Sequence, residues 1–530
     1  MLFTSYEFIG FLLILFILYY LIPKRFQWGL LLVGSYVFYF IAKPVYVAYI
    51  LATTLVVYLT ALKIEKKKLA CDDYLSLHKE DFSKEEKKAY KAKEKKSRFH
   101  WMLLGLVLGI GILAVIKYTN FTISNINGVL SAFGSSTQLS FLNIIVPMGI
   151  SFYTFQAIGY LIDVYRGTVS AQRNFFKFAL FVSFFPQLVQ GPISRYADLS
   201  KTLYAEHRFD AKQFTFGIER IMWGFFKKLV IADRILIAVN ALINDTEAFK
   251  GAYVFVGMMF YALELYCDFT GGIDITIGVA QCLGIEVAEN FQRPFFSKNI
   301  KEYWNRWHIT MGSWFTDYIF YPITVCGPML KISKWSRKHL GEIVGKRVPI
   351  YLSSFVVWFT TGIWHGASWN FIVWGLGNFV VIMISQEFEP LYRKFHARFN
   401  LKEKRAYQGF EVIRTLLLMS CLRTFDCYRD VPLTFRMFGT MFTEGNWKVL
   451  FDGSLLTLGL KMQDFAVLIL GVVILFTVSM LQRKRSVRER IHAIAYPLRV
   501  VIWFSLFLAI LIFGIYGIGY DATQFIYNQF

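Results

Sequence analysis

His365 sits in the stretch TTGIWHGASWN (360–370), inside a run from Val348 to Gln386 that holds no Asp, Glu, Lys or Arg. An ionisable ring at membrane depth is costly unless it is hydrogen-bonded or faces a polar cavity. His365 is therefore either a satisfied core residue or the working group of a site. A second histidine of the eight, His308, lies in IKEYWNRWHITMGSWFTDYIFYPI (300–323). As a helix, that stretch puts Trp304, His308 and Gly312 on one face. Arg306 and Asp317 among the aromatics predict an amphipathic segment near a membrane interface. A buried imidazole is held neutral by desolvation, and a neutral imidazole can accept a proton as a general base. No Ser-containing nucleophile elbow, phosphate loop or HExxH zinc motif accompanies either histidine. Asp163, Glu264, Asp268 and Asp274 are candidate intramembrane acids. They fit a proton relay, and hence a transporter, or plain hydrogen bonding to broken helices.

The elements that must carry these residues are apolar blocks. The chain has 530 residues, 56% of them hydrophobic and only 18% charged, and many blocks have the roughly 17–25 residues that cross a bilayer as a helix. A multi-pass, all-α membrane bundle of about a dozen helices around a central funnel is predicted. The net charge of +21 falls mainly in the gaps between blocks, as cytoplasmic loops require, and no nucleic-acid readout domain is visible. Six scattered cysteines (Cys71, Cys267, Cys282, Cys326, Cys421 and Cys427) show neither CxxC nor zinc-like spacing, so no metal site or disulfide framework is supported. The first block carries Glu7 before any basic residue and no small-residue cleavage site, so it reads as a retained helix, not a signal peptide.

Segments near 7–22, 27–42 and 44–62 precede a loop at 63–100 dense in both signs of charge, expected to be solvated and partly helical. With Lys24–Arg25 and this loop inside, both termini are expected outside. The segment 101–116 is expected to end in the polar run TNFTISNINGVLSAFGSSTQLS. Further blocks lie near 143–165, 175–190, 215–245, 252–284, 348–384, 408–422, 464–481 and 498–518. In VSFFPQLVQGPISRY, Pro186 and Gly191–Pro192 interrupt an apolar stretch and predict a kinked or re-entrant segment. The division expected is 1–140 (N-terminal membrane helices), 141–385 (a core) and 386–530 (C-terminal helices and a tail).

Five stretches in order, GISFYTFQAIGYLIDVYRG (149–167), FFPQLVQGPISRY (184–196), YCDFTGGIDITIG (266–278), AENFQRPFFSKNIKEYWNRWHITMGSWFTDYIFYPI (288–323) and GIWHGASWNFIVWG (362–375), resemble the membrane-bound O-acyltransferase family. The likeness is to its bacterial branch, typified by the alginate O-acetylation membrane protein. The chain departs from the family at Asn305 and in TDY (316–318), where basic residues are usual. The resemblance implies that His365, in its WHG context, matches the catalytic histidine and His308 the second characteristic one. Trp364, Trp307, Asn290 and Gln190 would line the substrate funnel. It also implies no bound cofactor, and as co-substrate a cytoplasmic acyl thioester donor, acetyl-coenzyme A or an acyl-carrier protein. An extracytoplasmic SGNH (esterase-fold) partner would deliver the acyl group to the sugar. The setting would be the bacterial plasma membrane, with membrane lipid around the chain. The C-terminal FIYNQF (525–530) is similar to the end of the small single-helix protein of teichoic-acid D-alanylation, which would make Tyr527 an acyl acceptor or a docking anchor. The implied activity is acyl transfer, acetyl foremost, to a cell-surface polysaccharide, with D-alanyl transfer to teichoic acid as the alternative. From another class, a transporter or export scaffold stays open.

Overall fold

The computed structural model describes residues 3–483 and 485–516. Among them the secondary structure is helical with no strand, and a single isolated antiparallel bridge joins Phe291 to Trp307. Six helices are long and apolar enough to cross a membrane by length and composition: Pro44–Leu77, Lys84–Ala132, Ala252–Cys282, Trp369–Glu387, Met462–Leu481 and Tyr496–Phe513. The all-α membrane class holds. The chain clusters into two compact units, residues 1–214 with 279–288, and residues 215–278 with 289–530.

In the first unit, Tyr6–Leu21 and Gln27–Ala42 are joined by a 3-10 turn over Lys24–Phe26. Pro44 then starts a 34-residue helix at a position where a missing N–H costs nothing. The charged stretch at 63–100 is more helical than expected. Pro44–Leu77 runs on through its Lys and Glu residues, which are good helix formers. The next helix, Lys84–Ala132, opens on a capping box in which Glu86 N donates to Ser83 Oγ (3.2 Å) and Ser83 N donates to Glu86 Oε2 (2.9 Å).

That second helix also overruns the expected end at 116. Thr119, Thr122 and Asn125 donate to the carbonyls of Val115, Tyr118 and Phe121 one turn back, which satisfies polar side chains along the helix. Asn120 and Asn127 each donate to and accept from one backbone residue of the returning chain, Leu142 and Leu139 respectively (2.8–2.9 Å). The polar run is a clasp rather than a loop.

The predicted break at Pro186 is present. Phe175–Ser183 ends, Phe185–Leu188 forms one short turn, and residues 189–194 leave the helix while staying buried. Ser35 Oγ accepts from Phe185 N (3.2 Å), and Gln187 Nε2 donates to Ser194 Oγ (2.5 Å), so side chains replace lost backbone partners. Gly149 faces this segment with φ 72°, and a Cβ there would lie 1.8 Å from the Leu188 carbonyl oxygen. No other residue fits that approach.

In the second unit, a π-helical turn, Phe226–Ala232, precedes Asp233–Asn244. The wide turn lets two successive lysines reach the same helix, Ala252–Cys282. Lys227 Nζ meets Asp274 (2.6 Å) and Thr270 (2.7 Å), while Lys228 Nζ meets Asp268 (2.5 Å) as well as Asp233 (2.7 Å). Arg220 holds Asp274 (3.0 Å) and Glu289 (2.5 Å), and Arg234 holds Asp464 (3.0 Å). Asp268 and Asp274 are thus bound to cations that the sequence reading did not pair with them. Glu264 is buried one turn from Asp268, and Asp163 is half-buried in the first unit.

Candidate active site

The expected single apolar block at 348–384 is two helices that turn at the histidine: Arg347–His365 and Trp369–Glu387. They pack closely because Gly362 and Gly375 face backbone. A Cβ on Gly362 would lie 2.6 Å from the Phe371 carbonyl oxygen, and one on Gly375 would lie 2.5 Å from that of Trp358. His365 occupies the last helical position, and Gly366 continues in extended backbone. The ring is buried, edge-on to Trp364 (5.0 Å between centroids) and Trp374 (4.7 Å), and stacked with Phe371 (6.4 Å).

His308 departs from the expected helix. Ile300–Arg306 stops, Trp307 is extended, His308 takes a left-handed conformation (φ 50°), and Ile309–Phe315 starts afresh. Trp304 and His308 therefore do not share a helical face, and His308 is fully buried. The cause is competition from residues 290–292. Ile309 N donates to the Asn290 carbonyl (3.0 Å), and Gln292 N donates to that of Arg306 (2.9 Å). Asn290 Oδ1 accepts from both Thr310 N and Thr310 Oγ1 (3.0 Å each). A buried asparagine has supplied what the broken helix lost.

That arrangement fixes a tautomer. With Oδ1 occupied as an acceptor, Asn290 presents its amide Nδ2 to His308 Nδ1 at 3.3 Å. Nδ2 can only donate, so Nδ1 accepts and the imidazole proton sits on Nε2. Burial, with the Arg423 guanidinium adding to it, pushes the His308 pKa down to about 3, so the ring is neutral. His308 offers an N–H donor without charge.

Trp364 connects the two histidines: its ring lies 5.9 Å from His308 and 5.0 Å from His365. Trp307 is buried and stacks on Tyr303 (5.6 Å, 12° between planes), with Phe291 edge-on at 5.0 Å. Of the residues expected at the site, His308, His365, Trp364, Trp307 and Asn290 come together in the second unit. Gln190 is buried within the first unit. Tyr527 and the 525–530 tail lie outside the described residues.

Two further residues belong to the cluster. Arg423, buried on Arg405–Tyr428, lies over the faces of Trp374 (4.5 Å), Trp307 (5.2 Å) and Trp304 (5.8 Å). Asn378 accepts from Trp304 Nε1 (3.1 Å) and donates to the Trp374 carbonyl (2.8 Å). The sequence signal for Arg423 was an arginine three residues before Asp426 at the end of an apolar block; for Asn378 it was an amide in the middle of an apolar helix. A buried cluster of imidazoles and indoles can move protons and exclude water from a reactive acyl group.

The profile of MBOAT, the membrane-bound O-acyltransferase family, matches residues 169–428, which include both histidines and Arg423. The probable alginate O-acetylase AlgI of Pseudomonas syringae pv. tomato is 32% identical over 85% of this chain and 76% of its own length. The chain belongs to the membrane-bound O-acyltransferase family. It is a membrane-bound O-acyltransferase, and the histidine cluster lies inside the matched region. Two other relatives align less fully. The peptidoglycan O-acetyltransferase of Helicobacter pylori is 28% identical over 56% of this chain and 57% of its own length. The teichoic acid D-alanyltransferase of Bacillus subtilis is 29% identical over 48% and 62%.

Proposed function

We propose that this O-acyltransferase acetylates a cell-surface polysaccharide, drawing the acyl group from a cytoplasmic thioester, acetyl-coenzyme A or an acyl-carrier protein. The observation that carries the reading is the pair of buried histidines packed against the same indole, Trp364. Its substrate class is supported by the alginate O-acetylase and the peptidoglycan O-acetyltransferase relatives. His365 takes the proton of the acceptor hydroxyl as its oxygen attacks the thioester carbonyl. His308, with its proton on Nε2, donates to the oxygen that becomes negative. The C–S bond then breaks, the thiolate takes the proton from His365, and an oxygen ester is left. Trp307, Trp364 and Asn290 shape the donor path. Core and flanks are taken as 141–385, 1–140 and 386–530.

In this reading the enzyme lies in the bacterial plasma membrane with the 63–100 segment inside and both termini outside. An esterase-fold partner receives the acyl group through Tyr527, which serves as transient acceptor or docking anchor. The D-alanyltransferase relatives favour a second reading, D-alanyl transfer to teichoic acid.

The test is to incubate purified protein with acetyl-labelled coenzyme A and follow release or retention of label. Turnover that is absent in His365→Ala supports the reading, and full turnover in that variant removes His365 from the mechanism. D-alanyl carrier protein, tried in parallel, decides between the two acyl groups. Tyr527→Phe keeps the ring and removes the hydroxyl. Normal polymer modification by that variant leaves only the docking role.

A further inference from the structure

The first unit holds a cavity of about 610 Å³ whose lining includes none of the histidine-cluster residues. Lys24, Arg25 and Arg208 line it, together with His207, Glu206 and Gln27. One wall is rigidly built. Gln27 is buried, its Nε2 donates to the carbonyls of Tyr19 (3.1 Å) and His207 (3.0 Å), and its Oε1 accepts from His207 N (2.8 Å). The His207 ring is held as well, with Nε2 2.7 Å from the Thr202 carbonyl. A carbonyl accepts, so Nε2 carries the proton and Nδ1 is left as the acceptor. Gly284 packs so closely on Nδ1 that a Cβ would approach to 2.4 Å.

The charges on this frame are uncompensated. Lys24, Arg25 and Arg208 have no carboxylate within ion-pair distance among the described residues, and Glu206 is the single acid of the lining. This contrasts with Lys227, Lys228 and Arg234 in the second unit, each of which holds at least one carboxylate. Three cations without a carboxylate partner around a concave space of ligand size favour an anion.

The position says which anion. The cavity lies at the end of Tyr6–Leu21, whose Leu13, Ile14, Ile17, Leu18 and Leu21 form one outward apolar face, 41–75% exposed. In a membrane protein such a face meets acyl chains, and the chain turns polar where headgroups begin. Leu21 and Phe209, 75% and 58% exposed, themselves line the cavity, so an apolar rim adjoins the cationic wall. Free phosphate has no use for that rim; a phospholipid fills both parts.

We propose that this cavity is a binding site for the phosphate-bearing headgroup of an acidic phospholipid, with the acyl chains over Leu21 and Phe209. Lys24, Arg25 and Arg208 bind the phosphate, while Gln27 and His207 hold the two segments in register. The site shares no residue with the histidine cluster and stands whether or not the acyl-transfer reading survives.

The probe is phosphatidylglycerol added to the purified, delipidated full chain in neutral detergent, with melting temperature as readout. Phosphatidylcholine and inorganic phosphate are the comparison arms. A ligand that binds only the folded state raises the midpoint in proportion to its occupancy. The expected result is a saturable rise with phosphatidylglycerol, absent with phosphatidylcholine and phosphate and lost in K24Q/R25Q/R208Q. The control K84Q/K88Q/K91Q removes equal charge from an exposed helix and should keep the rise. Loss of the rise in that control, or its survival in the cavity variant, overturns the site. An equal rise with inorganic phosphate, lost in the cavity variant, overturns the lipid and leaves a soluble phosphate ligand. If the triple variant does not fold, Arg208→Gln alone is scored by native mass spectrometry. Retention of phosphatidylglycerol at wild-type level there is the overturning result.

Discussion

Within the second unit, two buried regions treat charge in opposite ways. Around the π-helical turn, Lys227, Lys228 and Arg220 each meet one or two carboxylates at 2.5–3.0 Å. Around His308 and His365, the cation Arg423 is sandwiched against indole faces and both histidines are walled by aromatics. Compensated ions fix one arrangement, because breaking any pair strands a charge in low dielectric. Aromatic walls shut water away from an acyl group that reacts among them. The first region reads as scaffold, the second as chemistry.

The comparison breaks most sharply at His365. His365→Ala should lower acyl transfer by about 10²–10⁴-fold, the usual worth of a general base, while the melting temperature stays near wild type. A large stability loss with activity per folded molecule retained would move His365 to the scaffold class. Lys228→Met should do the reverse. It leaves Asp268 and Asp233 buried without their shared cation, a cost of about 3–5 kcal/mol, to be read as lost expression or a collapsed melting temperature. A stable Lys228→Met enzyme would show that the network is not what holds these helices.

Asn290→Leu sharpens the boundary, because Asn290 serves both fold and tautomer. Losing its bonds to Thr310 should cost about 1–3 kcal/mol. With its donor gone, His308 is free to exchange tautomers, so kcat should fall further than the stability loss explains. Imidazole nitrogen shifts read by NMR would report the tautomer directly, and an unchanged Nε2–H signal in the variant would show that Asn290 does not set it. The smallest effect is expected for Arg423→Lys, which keeps the charge but gives up planar stacking on three indoles, about 0.5–2 kcal/mol by cation–π magnitudes. Destabilisation beyond that range would mean that Arg423 acts chiefly as an ion.

The membrane class was legible because block length and composition are local quantities, and the kink at Pro186 because proline acts on its own turn. His365 stood out for an equally local reason, an imidazole in a long uncharged run. The helices at 63–100 and 117–132 were underestimated. Mixed charges and Ser/Thr/Asn runs read as solvated loop, yet those side chains cap, clasp and bond back to carbonyls once the neighbouring chain is present.

The sequence by itself determined the helical membrane fold, the break near residues 184–194 and, through its motifs, the family and its two histidines. Only the tertiary structure decided that His308 leaves the helix, that Asn290 sets its proton on Nε2, and that Trp364 packs against both His308 and His365. It also decided that Asp268 and Asp274 pair with lysines some forty residues earlier in the chain. The reason is separation. A backbone break at residue 308 imposed by residue 290, or a carboxylate on one helix bound by a lysine from another, leaves no periodic trace in either segment alone. Charge compensation and tautomers are properties of neighbours, and folding chooses the neighbours.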